Sequence, residues 1–323
     1  MSGHDIVGKR IFVTGGAGFI GSTLAAELVD RNQVVAYDNL SRNALSGAAI
    51  RSHENFELIE GDILDRDHLQ QAMLGADIVV HCAAIAGIDT VIKEPVATMQ
   101  VNMLGSSNVL AAAASLDPCE RVICFSTSEV FGSSAFQSSE EDGSVIGEVG
   151  EARWTYAVSK LAEEHLAIAY FHQMGLPATV IRPFNVYGPN QVGEGALKIF
   201  IERALRNEPI QIHGDGSQIR AWVYVDDMVD AVMRAMVRPE AIGESFNIGN
   251  NRAVLTIYGL AKMVVQVLGS DSEIVFVPRE HADVELRVPD VSKARNLLDF
   301  EAQVDIEDGI ARTAAGMRER LGL

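Results

Sequence analysis

Up to Arg182 the chain alternates short β-branched apolar runs with stretches of helical periodicity. Arg10–Thr14, Gln33–Tyr37, Phe56–Glu60, Ile78–His81, Val122–Ser126 and Ala178–Arg182 read as strands, because compact apolar runs bounded by turn residues suit strands buried on both faces. Between them, 19–31 sets Ile20, Leu24 and Leu28 on one helical face, and 65–73 and 101–114 continue as helices. Alternating strands and helices predict an α/β fold with a doubly wound parallel sheet, whose ligands bind beyond the carboxyl ends of the strands. After Arg182 the rhythm loosens. A helix is expected near 196–206, a strand in PIQIHGDG, and a further helix and strand of the main sheet near 226–237 and 245–248. The tail from about Leu255 reads as mostly helical. This predicts residues 1–182 and 219–251 as a cofactor-binding domain, with 183–218 and 252–323 as a smaller interleaved substrate lobe.

Charge narrows the partners. A formal net charge of −18 disfavours nucleic acid, so an anionic small substrate needs local cations. Cys82, Cys119 and Cys124 lack ligand-like spacing, and no metal site or disulfide is expected. The opening MSGHDIVGKR lacks a signal-peptide apolar run, and no apolar stretch reaches the ~18 residues of a membrane span. A cytoplasmic location, away from membranes, is therefore expected. Ser138–Asp142 (SSEED) reads as a solvated loop without a role.

Two motifs carry chemistry. Gly15, Gly18 and Gly21 follow the first strand and open the first helix, with Phe19 and Ile20 between the last two glycines. Such a loop lets the backbone approach a pyrophosphate at a helix N-terminus. Asp38, followed by Asn39, ends the second strand, where an acid accepts hydrogen bonds from the ribose of NAD and repels the extra phosphate of NADP. Asp62, before Ile63, suits either an adenine contact or a helix cap. Tyr156 and Lys160 stand at i, i+4, so a helix projects both from one face. The ammonium, with the positive nicotinamide, is expected to lower the tyrosine pKa and make it a usable base. The fifth strand runs into Ser126-Thr127-Ser128-Glu129, which brings hydroxyls and a carboxylate to the ligand crevice.

With TGGAGFIGS at 14–22, Asp38, GDI at 61–63, HCAA at 81–84, Asn102, STSEVFG at 126–132, YAVSK at 156–160, RPFNVYGP at 182–189 and GDGSQIRAWVYVDD at 214–227, the chain resembles the extended short-chain dehydrogenases, the NAD-dependent epimerase/dehydratase family, over nearly its whole length. The resemblance implies a Rossmann-type fold, tightly held NAD, a nucleotide-sugar substrate that is UDP-linked, and a homodimer. It adds Ala83, Ala84 and Asn102 to the cofactor contacts. Tyr156 would take the proton of the sugar 4-hydroxyl, Thr127 would bond the same oxygen, Asn185 would touch the diphosphate, and Arg220 and Arg287 would supply cations for that diphosphate.

The family divides after a 4-keto sugar forms, into 4-epimerases, 4,6-dehydratases and uronate decarboxylases. The triplet Thr127-Ser128-Glu129 resembles that of the decarboxylases and some dehydratases, as do RWTY at 153–156 and DVELRVPDVSKARNLLDF at 283–300. UDP-glucuronate decarboxylation is therefore the expected reaction, with a UDP-sugar 4-epimerase or a nucleotide-sugar 4,6-dehydratase as alternatives. Two departures stand out: Phe131 replaces a commoner tyrosine, and Gln191–Leu197 carries no Arg or Lys where some decarboxylases place cations. A non-catalytic nucleotide sensor is the reading from another class, and the presence of both Tyr156 and Lys160 speaks against it.

Overall fold

The computed structural model describes residues 6–278 and 284–322. Met1–Asp5 of the opening segment and Asp283 of the C-terminal motif lie outside the described residues. Seven parallel strands form the main sheet: β1 (Arg10–Thr14), β2 (Gln33–Asp38), β3 (Phe56–Glu60), β4 (Ile78–His81), β5 (Arg121–Phe125), β6 (Ala178–Pro183) and β7 (Ser245–Ile248). Their spatial order is β7-β6-β5-β4-β1-β2-β3. The order reverses between β1 and β4, and at that switch point the connections leave for opposite faces and open a crevice.

Alternation along the strands fills both faces. Ile11, Val13, Ile78, Val80 and Ile123 pack with Leu24, Leu28, Met228 and Val232 on one side. Phe12, Val79, Val122 and Cys124 pack with Leu69, Leu110 and Ala167 on the other. A sheet covered on both sides needs apolar residues at nearly every position, which is why its strands read as continuous runs.

The expected helix at 101–114 starts earlier. Pro95–Met99, a π-helical turn at Gln100–Gly105 and Ser106–Ala114 form one helical run. The tail is less helical than expected. Helices Ile257–Leu268, Ser292–Leu298 and Ile306–Leu321 alternate with strands Val254–Thr256, Ile274–Val277 and Leu286–Pro289. These strands find partners far away in sequence, which local periodicity does not report: Ile274–Val277 pairs with Ile210–His213, and Leu286–Pro289 with both Ile219–Ala221 and Ser134–Ser138. The smaller sheet thus joins segments from the middle and the end of the chain. A third core, with Tyr187, Phe200, Trp222, Leu260 and Ile310, holds this lobe together.

The SSEED segment is not a plain solvated loop. The Glu140 carboxylate accepts the backbone N–H of Asn247 at 2.7 Å, and burial pushes it above the usual carboxylate range. The acid ties the chain after Ser134–Ser138 to β7.

Candidate active site

At the switch point lies a cleft of about 520 Å³. Its floor is the turn after β1. Gly15 there has φ +68°, and a Cβ would sit 2.6 Å from the backbone nitrogen of Ala83. At Gly21 a Cβ would sit 2.3 Å from the Gly15 carbonyl oxygen, so the helix Phe19–Leu28 can begin this close to the strand only with glycine there. The helix N-terminus and its free amides face the cleft.

The cleft is lined by Gly15, Gly18, Phe19, Ile20 and Gly21, by Asp38 and Asn39, by Asp62 and Ile63, by Ala83 and Ala84, and at its far end by Tyr156 and Lys160. The Asp38 carboxylate accepts the N–H groups of Ala17 at 3.0 Å and Leu40 at 2.7 Å. Burial raises its pKa, and these amides pull it back. Asp62 lines the cleft and is not the helix cap: its carboxylate accepts the Leu64 N–H at 2.9 Å and its carbonyl accepts the Tyr37 hydroxyl, while Asp65 caps the next helix by accepting the His68 N–H. Cys82 also lines the cleft, but burial pushes its thiol up to about 12, so it is no nucleophile. A glycine floor at a helix start, an acid at the end of β2 and apolar walls fit a dinucleotide such as NAD.

Asn102 is placed differently. It is fully buried and is not among the lining residues. Its amide bonds the N–H and C=O of Ile85 at 2.8 and 3.0 Å and the Ser159 hydroxyl at 3.0 Å. It fastens the loop after β4 to the helix Thr155–Met174 instead of facing the cleft.

That helix presents Tyr156 and Lys160 together. Thr127, at the end of the turn after β5, shares a hydrogen bond with Tyr156 and accepts the Glu129 N–H at 3.2 Å. Of the expected lowering of the tyrosine pKa, the Lys160 contribution is present but is outweighed. Burial raises it, Lys160 lowers it, Glu129 raises it again, and the sum is upward. Burial also acts against the Lys160 charge, but Glu163, with Tyr156, outweighs this and raises the ammonium pKa; burial raises Glu163 as well, and the Lys160 ammonium and the Ser106 hydroxyl pull it back.

Glu129 is flanked by two buried cations. Its Oε1 lies 3.7 Å from Arg153 and 3.7 Å from Arg287. In the sequence Arg153 stands only within the string RWTY, and nothing sets Glu163 apart from an ordinary helix-surface acid. Arg287 also donates to the Gly132 carbonyl. Arg220 stands beside it in register on the neighbouring strand and donates to the carbonyls of Ile219 and Val284. Asn185, at φ +41°, donates to the Ala221 carbonyl at 2.7 Å. Ser128 is buried in the turn that carries Glu129. A strap also spans the mouth of the cleft: Arg42 donates to Thr90 at 2.9 Å, and Glu194 accepts Thr90 Oγ1 at 2.9 Å and the Asp89 N–H at 2.9 Å. Nothing in the local pattern around Glu194 announced this contact.

Among the described residues no cluster of side chains suits a metal ion, and no helix is long and apolar enough to cross a membrane.

The sequence model of the NAD dependent epimerase/dehydratase family matches residues 11–249. A curated relative from Bacillus cytotoxicus, UDP-N-acetyl-alpha-D-glucosaminuronate decarboxylase, is 36% identical over 324 residues, covering 96% of this chain and 98% of the relative. UDP-glucuronic acid decarboxylase 1 of Xenopus tropicalis is 33% identical, covering 97% of this chain and 73% of its own length. Among solved structures, UDP-glucuronic acid 4-epimerase from Bacillus cereus, in complex with UDP-glucuronic acid and NAD, superposes with a TM-score of 0.88 at 29% identity, covering 96% of this chain and 99% of that one.

Proposed function

The chain belongs to the NAD dependent epimerase/dehydratase family, and from that premise we propose that it is a UDP-uronate decarboxylase, with UDP-glucuronate as its substrate. It is an NAD-dependent nucleotide-sugar enzyme. The observation that carries the finer reading is Glu129, set beside Tyr156 and Thr127 and flanked by Arg153 and Arg287. Gln191–Leu197 has no cation to offer a sugar carboxylate, but these two arginines do.

In this reading Gly15, Gly18, Gly21, Asp38 and Lys160 hold NAD. The chemistry NAD supplies when bound is reversible hydride exchange with sugar C4. Tyr156 removes the 4-hydroxyl proton as C4 is oxidised, and Thr127 orients both that oxygen and the tyrosine. The resulting 4-ketone is β to the C6 carboxylate, so the C5–C6 bond breaks with its electron pair delocalised onto the C4 oxygen and carbon dioxide leaves. Tyr156 and Thr127 stabilise that oxygen. Glu129, at the C6 end, has Arg153 and Arg287 to offset its charge when a second carboxylate enters. In this reading Asn185 and Arg220 meet the diphosphate, while Arg287, 3.7 Å from Glu129, serves the sugar-carboxylate end instead of the diphosphate.

Incubation with UDP-glucuronate, followed by proton NMR and carbon dioxide release, tests the reading. Carbon dioxide with a UDP-pentose or UDP-4-keto-pentose is expected, and Glu129→Gln should abolish it. A UDP-galacturonate signal without carbon dioxide would establish the 4-epimerase, the activity named for the Bacillus cereus neighbour. Decarboxylation of UDP-N-acetylglucosaminuronate alone would keep the reaction and change the sugar, as the name of the Bacillus cytotoxicus relative favours.

The proposed assembly is a homodimer. Val96, Met103 and Leu104 on one helical run and Val158 on the adjoining helix leave an apolar face exposed, suited to the same face of a second copy.

A further inference from the structure

Lys160 and Glu163 lie at i, i+3 on the helix Thr155–Met174. Such a pair on a helix surface contributes little. Here the two side chains are 2% and 1% exposed, and the Lys160 ammonium donates to Glu163 Oε2. Lys160 lines the cofactor cleft, whereas Glu163 is behind it. The Ser106 hydroxyl donates to the same Oε2 at 3.0 Å and to the Asn102 carbonyl at 2.5 Å. Its single proton cannot serve both at once, so Lys160 is the steady partner of the carboxylate. Glu163 Oε1 is buried without a hydrogen-bond partner, and His81 Nε2 lies 3.9 Å from it. A half-satisfied buried carboxylate is a poor packing element, since an apolar side chain would fill the space at less cost.

We propose that Glu163 is a positioning residue that acts through Lys160: it holds the ammonium on the inner side of the helix and limits how much of its charge reaches the Tyr156 hydroxyl. The proposal rests on reading Tyr156 as the acid–base group. Without Glu163 the Tyr156–Lys160 pair loses its neighbouring negative charge, so the ammonium and the tyrosine hydroxyl both hold their protons less tightly and the pair gives up its first proton at lower pH. With Glu163, the tyrosine stays protonated longer and is the better proton donor when a ketone must be reduced again.

The other groups around the pair do not supply the same charge. Glu164, next on the helix, is engaged by Arg182 and Ser245. From β4 come His81 and the adjoining Cys82. Burial, with a contribution from Lys160, lowers the imidazole to about 3, and burial raises the Cys82 thiol to about 12, so both are neutral. From β5 comes Cys124, its thiol held protonated by burial. From the turn after β5, Glu129 faces Tyr156 from the opposite side and is flanked by its own arginines.

The test uses the NAD-loaded full chain and two readouts: the pH profile of kcat/KM with UDP-glucuronate, and the ultraviolet phenolate titration of Tyr156 against a Tyr156→Phe blank. Glu163→Gln should move both the acid limb and the phenolate midpoint to lower pH by about one unit, a tenfold change in the proton equilibrium. Glu163→Asp, which keeps the charge but shortens the reach, should move them part of the way, and it decides the matter if the glutamine variant does not fold. No shift, or an upward one, while Tyr156→Phe is inactive, overturns the role of Glu163 and leaves the decarboxylase reading intact. A Tyr156→Phe variant with full turnover overturns the reading beneath it as well.

Discussion

Arg182 grips Glu164 through three hydrogen bonds of 2.6, 3.0 and 3.1 Å, and joins the end of β6 to the back of the helix that carries Tyr156 and Lys160. Burial works against the Glu164 charge, but the Arg182 bonds outweigh it and hold the carboxyl below the usual range. A buried pair of this kind is costly to break from one side, because the surviving charge has no counterpart. Arg182→Met should therefore cost about 3–5 kcal/mol in denaturant unfolding. The double variant Arg182→Met/Glu164→Leu should recover much of that loss. A double variant no more stable than the single one would count against this account.

Thr127 is expected to act on the reaction more than on the fold. It bonds Tyr156 and sits at the turn after β5. Thr127→Val keeps the shape and removes the hydroxyl. Its kcat should fall about 10- to 100-fold, the effect of losing one hydrogen bond to a group that becomes charged. The melting temperature should move by only a few degrees, as expected for a change of about 1 kcal/mol. A kcat within twofold of wild type would remove Thr127 from the reaction.

Asp38 sets the cofactor preference in this reading. Its carboxylate stands at the end of β2 with the Ala17 and Leu40 amides on its two oxygens. Asp38→Asn gives up the charge that repels a 2′-phosphate and one acceptor for the ribose. NADH should bind at least about tenfold more weakly, and the preference over NADPH should narrow by a similar factor. Fluorescence titration of both nucleotides measures it; an unchanged ratio would show that discrimination lies elsewhere in the cleft.

His81 predicts an acid-side instability. Burial first, and Lys160 second, lower its pKa from 6.5 to about 3. The unfolded chain therefore takes up a proton below pH 6.5 that the folded chain refuses. The contribution is full above pH 6.5 and is lost as pH falls toward 3, by roughly 5 kcal/mol across the whole window. Urea unfolding of wild type and His81→Asn between about pH 4 and 8 checks this. The variant should show a shallower acid slope, by about one proton; equal slopes would disprove the assignment.

Much of the fold was written locally. Each main-sheet strand is buried on both faces, so its apolar run is continuous, and the helices between carry their own period. The cleft was legible for the same reason. Gly15, Gly18, Gly21, Asp38, Ala83 and Ala84 all lie at or just beyond strand ends, where a doubly wound sheet must open. Tyr156 and Lys160 were legible because four residues along a helix share a face whatever else the fold does. The remainder depended on partners distant in sequence. Arg287 meets Glu129 only because Leu286–Pro289 pairs with Ser134–Ser138, and Arg153 reaches the same carboxylate from the short helix Ala152–Trp154. Asn102 turns from the cleft to clamp Ile85 because the helix around it is buried against Ser159. Glu140 leaves solvent to cap β7, and Glu163 is a surface-like acid in sequence that tertiary packing places beneath the Lys160 ammonium. The sheet, the nucleotide loop and the Tyr–Lys face are properties of period and spacing, which act over a few residues. Which charge stands beside which was decided only by tertiary structure, because Coulomb energy depends on distance through space and on burial, and neither can be read along the chain.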